Sequence, residues 1–282
     1  MDIIDITDVD LSVLERTNPV FNTAKMTLFD MANAGDEDAR AISEALGLTQ
    51  EETQNSRTVV ATPAQVIAST LTVETRFRTM GEMAARSGCA TVVDLPCGYT
   101  PRAIQFARKG IPYVGLDLPA TIAEAEPAIT SLLTEDERAL VSFCGVDATN
   151  NETLRHALKD VQGPICITTE GLFPYFTRSE ADVVCDNICR LLQEHGGCWI
   201  SCDPEIAIAF VISLKTVFGD DFRKVYASSH RRASEKSDFE VGRNGLIVDM
   251  TNPREGMPAS IAYLASHGLA VERLAVDRKS VV

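Results

Sequence analysis

Residues 91–119 read TVVDLPCGYTPRAIQFARKGIPYVGLDLP and carry the pattern of a strand, a tight turn, a helix and a second strand. A short β-branched run ends at Asp94, and a turn containing Gly98 follows it. Apolar residues then repeat at helical spacing as far as Gly110, which predicts the end of a helix. A second apolar run ends at Asp117. In such a β-α-β unit the ligand lies beyond the carboxyl ends of the strands. Asp117 is therefore placed to accept the two hydroxyls of a ribose.

The turn between the first strand and the helix indicates which cofactor the unit suits. A dinucleotide needs the backbone to approach its pyrophosphate closely, and so requires three glycines in the order G-x-G-x-x-G. The turn over residues 96–101 holds one glycine, Gly98, so NAD is the weaker alternative. S-adenosylmethionine carries no phosphate and tolerates a turn with fewer glycines. A β-α-β unit with no ligand is the third interpretation.

The net charge and the hydropathy of the sequence argue against some classes of binding partner. The formal net charge of −14 argues against a nucleic acid or an anionic membrane as partner, because either needs a basic surface. No uncharged apolar run reaches the length of a membrane-spanning helix. The acidic N-terminus, Met1–Asp5, does not resemble a signal peptide. We therefore expect a cytoplasmic protein that acts on a small molecule.

The eight cysteines are expected to be reduced thiols. Two pairs have i, i+4 spacing, Cys185 with Cys189 and Cys198 with Cys202, and His195 lies between them. The first pair falls in an apolar helical pattern and the second in a strand pattern, and cysteine is commonly buried. We therefore predict no metal site.

Strands and helices alternate beyond this unit as well, which predicts a doubly wound, mostly parallel sheet. An acidic residue stands at the end of each predicted strand, and parallel strands place their carboxyl ends at the same edge of a sheet. A ligand rich in hydroxyls, amines or positive charge would suit that edge. The acids are Asp94, Asp117, Asp147, Glu170 and Asp203.

The chain divides into four predicted segments. A helical cap with a lead-in helix covers 1–88, and the cofactor-binding core covers 89–205. Residues 206–257 break the alternation and are interpreted as an insertion that covers the substrate. The last helix and strand of the core occupy 258–282, with the strand over Leu269–Val276.

Three segments of the chain stand out as motifs: Val93–Arg102 (VDLPCGYTPR), Gly115–Pro119 (GLDLP) and Glu170–Thr177 (EGLFPYFT). They resemble motifs of the leucine carboxyl methyltransferase family, which includes bacterial polyketide O-methyltransferases. The family motifs read L-G-A-G-L-D-T-R, V-D-L-P and E-G-L-x-x-Y-L, and an R-T-R stretch precedes the first; Glu74–Phe77 (ETRF) resembles that stretch.

The resemblance implies a class I methyltransferase fold, a Rossmann-like sheet of seven strands that binds S-adenosylmethionine and releases S-adenosylhomocysteine. Arg76 would pair with the methionine carboxylate, Asp117 would hold the ribose, and Glu170 would sit near the cofactor's amino group and the substrate mouth. The other cofactor-binding residues that it implies are Asp94, Leu95 and Gly98 by the methionine portion, Leu118 in the same site, and Asp147 and Ala148 by the adenine.

The first motif departs from the family pattern. Pro96 and Cys97 replace Gly-Ala, and residues 99–101 replace Leu-Asp-Thr. This change suggests one alternative to an active methyltransferase, a non-catalytic protein that binds S-adenosylmethionine or S-adenosylhomocysteine on the same fold. A second alternative, an NAD-dependent oxidoreductase, is disfavoured by the missing glycines.

For the acceptor we predict O-methylation of a small-molecule metabolite, at a carboxylate or a hydroxyl. A carboxylate is already ionised and needs no general base, whereas a phenol would need one. His230 is the candidate base. Arg223, Arg231 and Arg232 lie in a basic stretch of the insertion and could clamp an anionic acceptor, and Tyr175 is a further candidate substrate contact.

Overall fold

The computed structural model describes residues 19–49, 63–203, 215, 219–221 and 253–273. Among these residues the chain forms five strands and nine α-helices, numbered here in chain order. The strands are β1 (Thr91–Asp94), β2 (Tyr113–Asp117), β3 (Val141–Gly145), β4 (Ile165–Thr169) and β5 (Gly197–Ser201). The helices are α1 (Pro19–Asn33), α2 (Glu37–Ala45), α3 (Pro63–Ala85), α4 (Arg102–Arg108), α5 (Pro119–Thr130), α6 (Glu135–Arg138), α7 (Asn151–Ala157), α8 (Arg178–His195) and α9 (Pro253–Ser266). Short 3₁₀ turns cover Phe173–Tyr175 and Gly219–Asp221.

The five strands form one parallel sheet in the order β3-β2-β1-β4-β5. Every residue of β1, β2 and β4 is buried, which is typical of a parallel sheet covered by helices on both faces. The chain order reverses at β1, between β2 and β4, so the ends of these strands form the topological switch point where ligands bind in such folds.

Successive residues of β1 face two separate cores. Val92 packs on one face with α1 to α5, and Val93 packs on the other with α7, α8 and α9. The first core includes Leu28, Ile42, Phe77, Ile104 and Ile122, and the second includes Leu154, Val184, Ile188 and Tyr263. The predicted doubly wound α/β sheet is therefore confirmed.

Local sequence signals explain where several helices begin. Thr134 and Thr177 form capping boxes with Glu137 and Glu180, in which each threonine hydroxyl and each glutamate satisfies a free backbone N–H. Helix α4 ends at Arg108, two residues before the predicted stop at Gly110.

A glycine pair lets α8 turn directly into β5. Gly197 has a φ of +108°, and a Cβ added there would collide with the carbonyl oxygen of Ile165, its register partner in β4. Only glycine fits this position, because the backbones of the two strands come too close for a side chain. The close pairing fixes the position of β5 along β4, and with it the position of Asp203.

Other sequence predictions have mixed outcomes. The predicted strand over Leu269–Val276 does not begin where expected, since 269–273 form no strand; these residues are half-buried or exposed and pair with none of the described strands. The seven-strand count and the four segment boundaries stay predictions. The insertion, apart from 215, 219–221 and 253–257, lies outside the described residues. None of the helices described here is long and apolar enough to cross a membrane.

Candidate functional site

The predicted acidic edge is present. Asp94 and Asp117 are the last residues of β1 and β2, and Glu170 directly follows β4. Asp147 and Asp203 come two residues after β3 and β5. Because the sheet is parallel, all five acids lie at its carboxyl edge. Asp147 is exposed, whereas Asp94, Asp117 and Asp203 are each at most 6% exposed, so their charges must be balanced within the protein.

An alternating row of two arginines and two acids joins β1, α3, α4 and β4 at this edge. Arg102, in the first turn of α4, donates from Nη1 to Asp94 Oδ1 at 2.9 Å and from Nη2 to Glu170 Oε2 at 2.7 Å. The other oxygen of Glu170 accepts from Arg76 Nε at 2.7 Å. We call these four residues, Asp94, Arg102, Glu170 and Arg76, the ion row.

Further hydrogen bonds hold the Asp94 end of the ion row. The Tyr113 hydroxyl donates to Asp94 Oδ2 at 3.0 Å, and Thr168 Oγ1 donates to Asp94 Oδ1 at 2.6 Å. The Arg102 guanidinium lies 4.7 Å from the ring centre of Phe77, in a cation–π contact. Its Nε is one of the few buried polar side-chain atoms without a hydrogen-bond partner among the described residues.

The two acids of the ion row respond differently to burial. Burial raises the pKa of Asp94, in spite of the nearby charge of Arg102. Burial also acts to raise the pKa of Glu170, but the charges of Arg102 and Arg76 and their hydrogen bonds outweigh it and lower that pKa. Glu170 is thus an ionised carboxylate between two cations.

Asp117 is engaged by the turn that precedes α4. Its Oδ2 accepts from the backbone N–H of Gly98 at 2.8 Å, and its Oδ1 accepts from that of Leu118 at 2.7 Å. The φ of +54° at Gly98 lets the turn reach back toward the acid, a conformation that glycine adopts readily. Burial raises the pKa of Asp117, while these N–H groups and the Thr121 side chain act to lower it.

The unusual residues of the turn have structural roles. Tyr99 is fully buried, and its hydroxyl donates to Glu124 Oε2 at 3.0 Å. Lys25 of α1 pairs with the same Glu124 oxygen at 2.6 Å, so the turn is anchored to both α1 and α5. Cys97 is buried, and its N–H donates to the carbonyl of Leu116 at 2.9 Å. The residues that depart from the family motif therefore hold the turn against α1 and α5.

Asp147 and Ala148 follow β3. Asp147 Oδ1 accepts from the backbone N–H and the hydroxyl of Thr149, at 2.8 and 2.7 Å, which forms a local turn. Ala148 is buried, and its carbonyl accepts from Asn187 Nδ2 of α8 at 3.0 Å.

Asp203 holds the segment after β4 against the end of β5. Its Oδ1 accepts from the backbone N–H of Phe173 at 3.3 Å, and its Oδ2 accepts from the Ser201 hydroxyl at 3.0 Å. The residue is fully buried, and burial raises its pKa to about 6. Tyr175 lies in the same 3₁₀ turn as Phe173 and is half-buried.

The structure brings the predicted residues into two groups. Arg76, Asp94 and Glu170 are joined in the ion row, while Asp117, Gly98 and Leu118 form a second contact group. Leu95 connects β1 to β4, since its N–H donates to the carbonyl of Thr168 at 2.9 Å. Asp147, Ala148 and Tyr175 join neither group. Four candidates lie outside the described residues: His230, Arg223, Arg231 and Arg232.

Sequence reasoning missed Arg102, the central member of the ion row. A signal was available, because a cation in the first turn of a helix opposes the helix dipole and needs a specific partner to compensate. Cys185 and Cys189 lie on α8, whereas Cys198 is in β5 and Cys202 directly follows that strand. No group of three or more His, Cys, Asp or Glu side chains in the described ranges is arranged to hold a metal ion.

A family model described as leucine carboxyl methyltransferase matches residues 19–189, more than half of the chain. The chain belongs to the leucine carboxyl methyltransferase family. The resemblance found in the sequence motifs is thereby confirmed, and so is S-adenosylmethionine as the cofactor of the family. No curated protein sequence matches the chain.

Three solved structures are similar at low sequence identity. One is an O-methyltransferase family protein from Burkholderia thailandensis, with 17% identity, a TM-score of 0.33, and coverage of 58% of this chain and 49% of that one. Another is human N-acetylserotonin methyltransferase in complex with SAM, with 13% identity, a TM-score of 0.33, and coverage of 62% and 48%. The third is the methyltransferase SibL in its apo form, with 13% identity, a TM-score of 0.30, and coverage of 58% and 46%. The chain thus spans about half the length of the solved chains it matches.

Replacing Arg102 by methionine should destabilise the fold strongly, because Asp94 and Glu170 would stay buried without their shared cation. The expected loss is about 3–5 kcal/mol in the free energy of unfolding. Arg155→Met is the matched control, since Arg155 is 57% exposed and pairs with Glu194 at the surface. That variant should lose less than about 1 kcal/mol. Urea denaturation measures both, and equal losses would contradict the central role of Arg102.

Ionisation of Asp203 should make the free energy of unfolding depend on pH. Its folded pKa of about 6 lies above the ordinary value near 3.9, so the folded state binds the proton more tightly. Stability should therefore fall as pH rises from about 4 to 6, by up to about 3 kcal/mol from this group. Asp203→Asn removes the ionisation. The stability of the variant relative to the natural protein should rise over that pH range in denaturant titrations, and a constant difference would refute the assignment.

Proposed function

We propose that the protein is an S-adenosylmethionine-dependent methyltransferase whose carboxyl sheet edge binds the cofactor. The observation that carries the proposal is the set of buried, partnered carboxylates at that edge, next to two arginines, in a chain of a methyltransferase family. Carboxylates suit a ligand that bears a sulfonium, an ammonium and a ribose diol. The arginines suit the ligand's own carboxylate.

Arg76 and Glu170 are the pair suited to the amino-acid portion of the cofactor. A guanidinium has five N–H donors, and the contact with Glu170 uses only the Nε of Arg76. The side chain of Arg76 is 18% exposed, compared with 1% for Arg102, so Arg76 is the arginine that a ligand can reach. Glu170 keeps lone pairs beyond its two arginine contacts, and these can accept an ammonium group.

Asp117 is suited to the ribose, and binding there requires an exchange of partners. A carboxylate has about four lone-pair sites. The Asp117 carboxylate already accepts hydrogen bonds from Gly98, Leu118 and Thr121. Two ribose hydroxyls would therefore replace at least one of these donors. Glycine tolerates a change in backbone angles, so the N–H of Gly98 can turn from Asp117 to a ligand atom.

The bound cofactor would supply an electrophilic methyl group on a cationic sulfur. The tasks left to this chain are to align the acceptor with that methyl and to exclude water. Asp94 and Arg102 of the ion row are buried, and hydrogen bonds hold the row on several sides, which suits a rigid support for alignment. Asp203 holds Phe173, and with it the turn that carries Tyr175, so this turn would form one wall of the acceptor side.

For the acceptor we propose an oxygen of a small molecule, with a carboxylate favoured over a hydroxyl. The family's description names a leucine carboxyl group, which supports a carboxylate acceptor. The basic stretch with Arg223, Arg231 and Arg232 offers bidentate partners for such an anion. A hydroxyl acceptor would instead need a base, for which His230 is the candidate.

Cofactor binding tests the role of Arg76. Arg76→Ala should weaken S-adenosylmethionine by about 10- to 150-fold, the range for a hydrogen bond to a charged group. It should leave 5′-methylthioadenosine, which lacks the carboxylate, nearly unaffected. Arg78→Ala is the matched control, because Arg78 is 66% exposed and pairs with Glu74 on the same helix. Calorimetric titration measures the affinity of each variant for both ligands. Equal losses for both ligands would count against the carboxylate contact, and tight binding of NAD alone would favour an oxidoreductase.

The pH profile of methyl transfer tests the acceptor class. With a carboxylate acceptor the rate should be flat from about pH 6 upward, because a carboxylic acid near pKa 4 is already ionised there. Transfer of labelled methyl from the cofactor to a panel of small carboxylic acids and phenols gives the measurement. A rate that climbs through pH 8 to 9, with phenols preferred, would rule out the carboxylate acceptor and point to a base-assisted hydroxyl.

A further inference from the structure

Three thiols meet near the amino edge of the sheet, opposite the ion row. Cys166 and Cys198 are the second residues of β4 and β5 and pair in register, while Cys89 lies in the turn between α3 and β1. The sulfur atoms of Cys198 and Cys166 are 3.8 Å apart, and those of Cys198 and Cys89 are 4.0 Å apart. We call these three residues the thiol cluster.

Access differs among the members of the thiol cluster. Cys166 is fully buried in the core, whereas Cys89 and Cys198 are partly exposed. A small oxidant in solution can therefore reach Cys198 and Cys89 but not Cys166. Cys89 follows Gly88, which has a φ of +75°, and lies outside the strands, so its backbone is less constrained than that of Cys166.

The surroundings of Cys198 favour its thiolate. Hydrogen bonding between Cys198 and Cys166, together with that between Cys198 and Cys89, lowers the pKa of Cys198 to about 6, although burial and the carboxylate of Glu272 act in the opposite direction. Burial raises the pKa of Cys89. The thiolate is the reactive form of cysteine toward oxidants, so the cluster contains one activated sulfur with a protonated neighbour at hand.

We propose that Cys198 is a site of oxidation by hydrogen peroxide and that Cys89 then forms a disulfide with it. In the first step the Cys198 thiolate attacks a peroxide oxygen, the O–O bond breaks, and sulfenic acid and water form after proton uptake. In the second step Cys89 loses its proton and attacks the Cys198 sulfur, the S–O bond breaks, and a second water leaves. The peroxide is reduced by two electrons, and the two thiols are oxidised to one disulfide.

The geometry selects Cys89 as the partner. A disulfide bond is about 2.05 Å long, so the two sulfurs must approach by about 2 Å. Cys89 can move with its turn, whereas Cys166 is fixed between two strands in the middle of the sheet. The bond would tie the turn after α3, the helix that carries Arg76, to β5.

The test treats the reduced full chain with one equivalent of hydrogen peroxide at pH 6, followed by alkylation and peptide mass spectrometry. At that pH the lowered pKa of Cys198 leaves a much larger share of it ionised than of an ordinary thiol, of which well under one per cent is ionised. After allowance for the lower nucleophilicity of a more acidic thiol, Cys198 should react about tenfold faster. Cys144 is the internal reference, because it is also partly exposed and lies on β3, away from the cluster.

Two variants complete the experiment. Cys89→Ser should accumulate a sulfenic acid at Cys198 that a cyclic 1,3-diketone captures, with the disulfide lost. Cys144→Ser should form the Cys89–Cys198 disulfide as the natural protein does. Oxidation of Cys144 as fast as Cys198 would overturn the proposal, and so would a disulfide between Cys166 and Cys198.

Discussion

The burial of one guanidinium, that of Arg102, is the constraint on which the carboxyl edge of the sheet depends. Asp94 ends the central strand and Glu170 follows its neighbour, so the sheet alone would bury two negative charges side by side. Arg102 donates to both at 2.9 and 2.7 Å and removes that repulsion. It comes from the helix directly after the turn, so the turn must close tightly enough to bring α4 over the edge. The order of strand, turn and helix is thus set by electrostatics as well as by packing.

The turn between β1 and α4 must also accommodate bulky side chains. It has one glycine where many nucleotide-binding turns have several, and larger side chains fill the other positions. Tyr99 and Cys97 point into the protein, where the first makes a hydrogen bond to Glu124 and the second packs under β2. Their burial leaves the backbone of Gly98 at the acid tip of β2. A bulky turn can therefore present a backbone N–H at the ligand side, provided that its side chains are accommodated on the other side.

The sequence predicted the sheet well because the decisive signals are local. The β-branched run before Asp94, the stop at Gly110 and the apolar run before Asp117 each act within a few residues, and the structure has elements at all three places. The partners of the acids were not predictable in the same way. Glu170 meets Arg102 and Arg76 across 68 and 94 positions of sequence, and only the packing of α3 and α4 over the sheet decides this. The acceptor contacts predicted for the insertion have no such local signal.

The charges of the ion row sum to zero, because two carboxylates face two guanidinium groups. The amino-acid portion of the proposed cofactor is itself a neutral pair of charges, so its arrival would leave that balance unchanged. The sulfonium would add one positive charge close to Asp117, and methyl transfer would remove it. The edge would then attract the spent cofactor less than the fresh one. Through this difference, a rigid and internally neutral support would favour exchange of the product without any movement of its own.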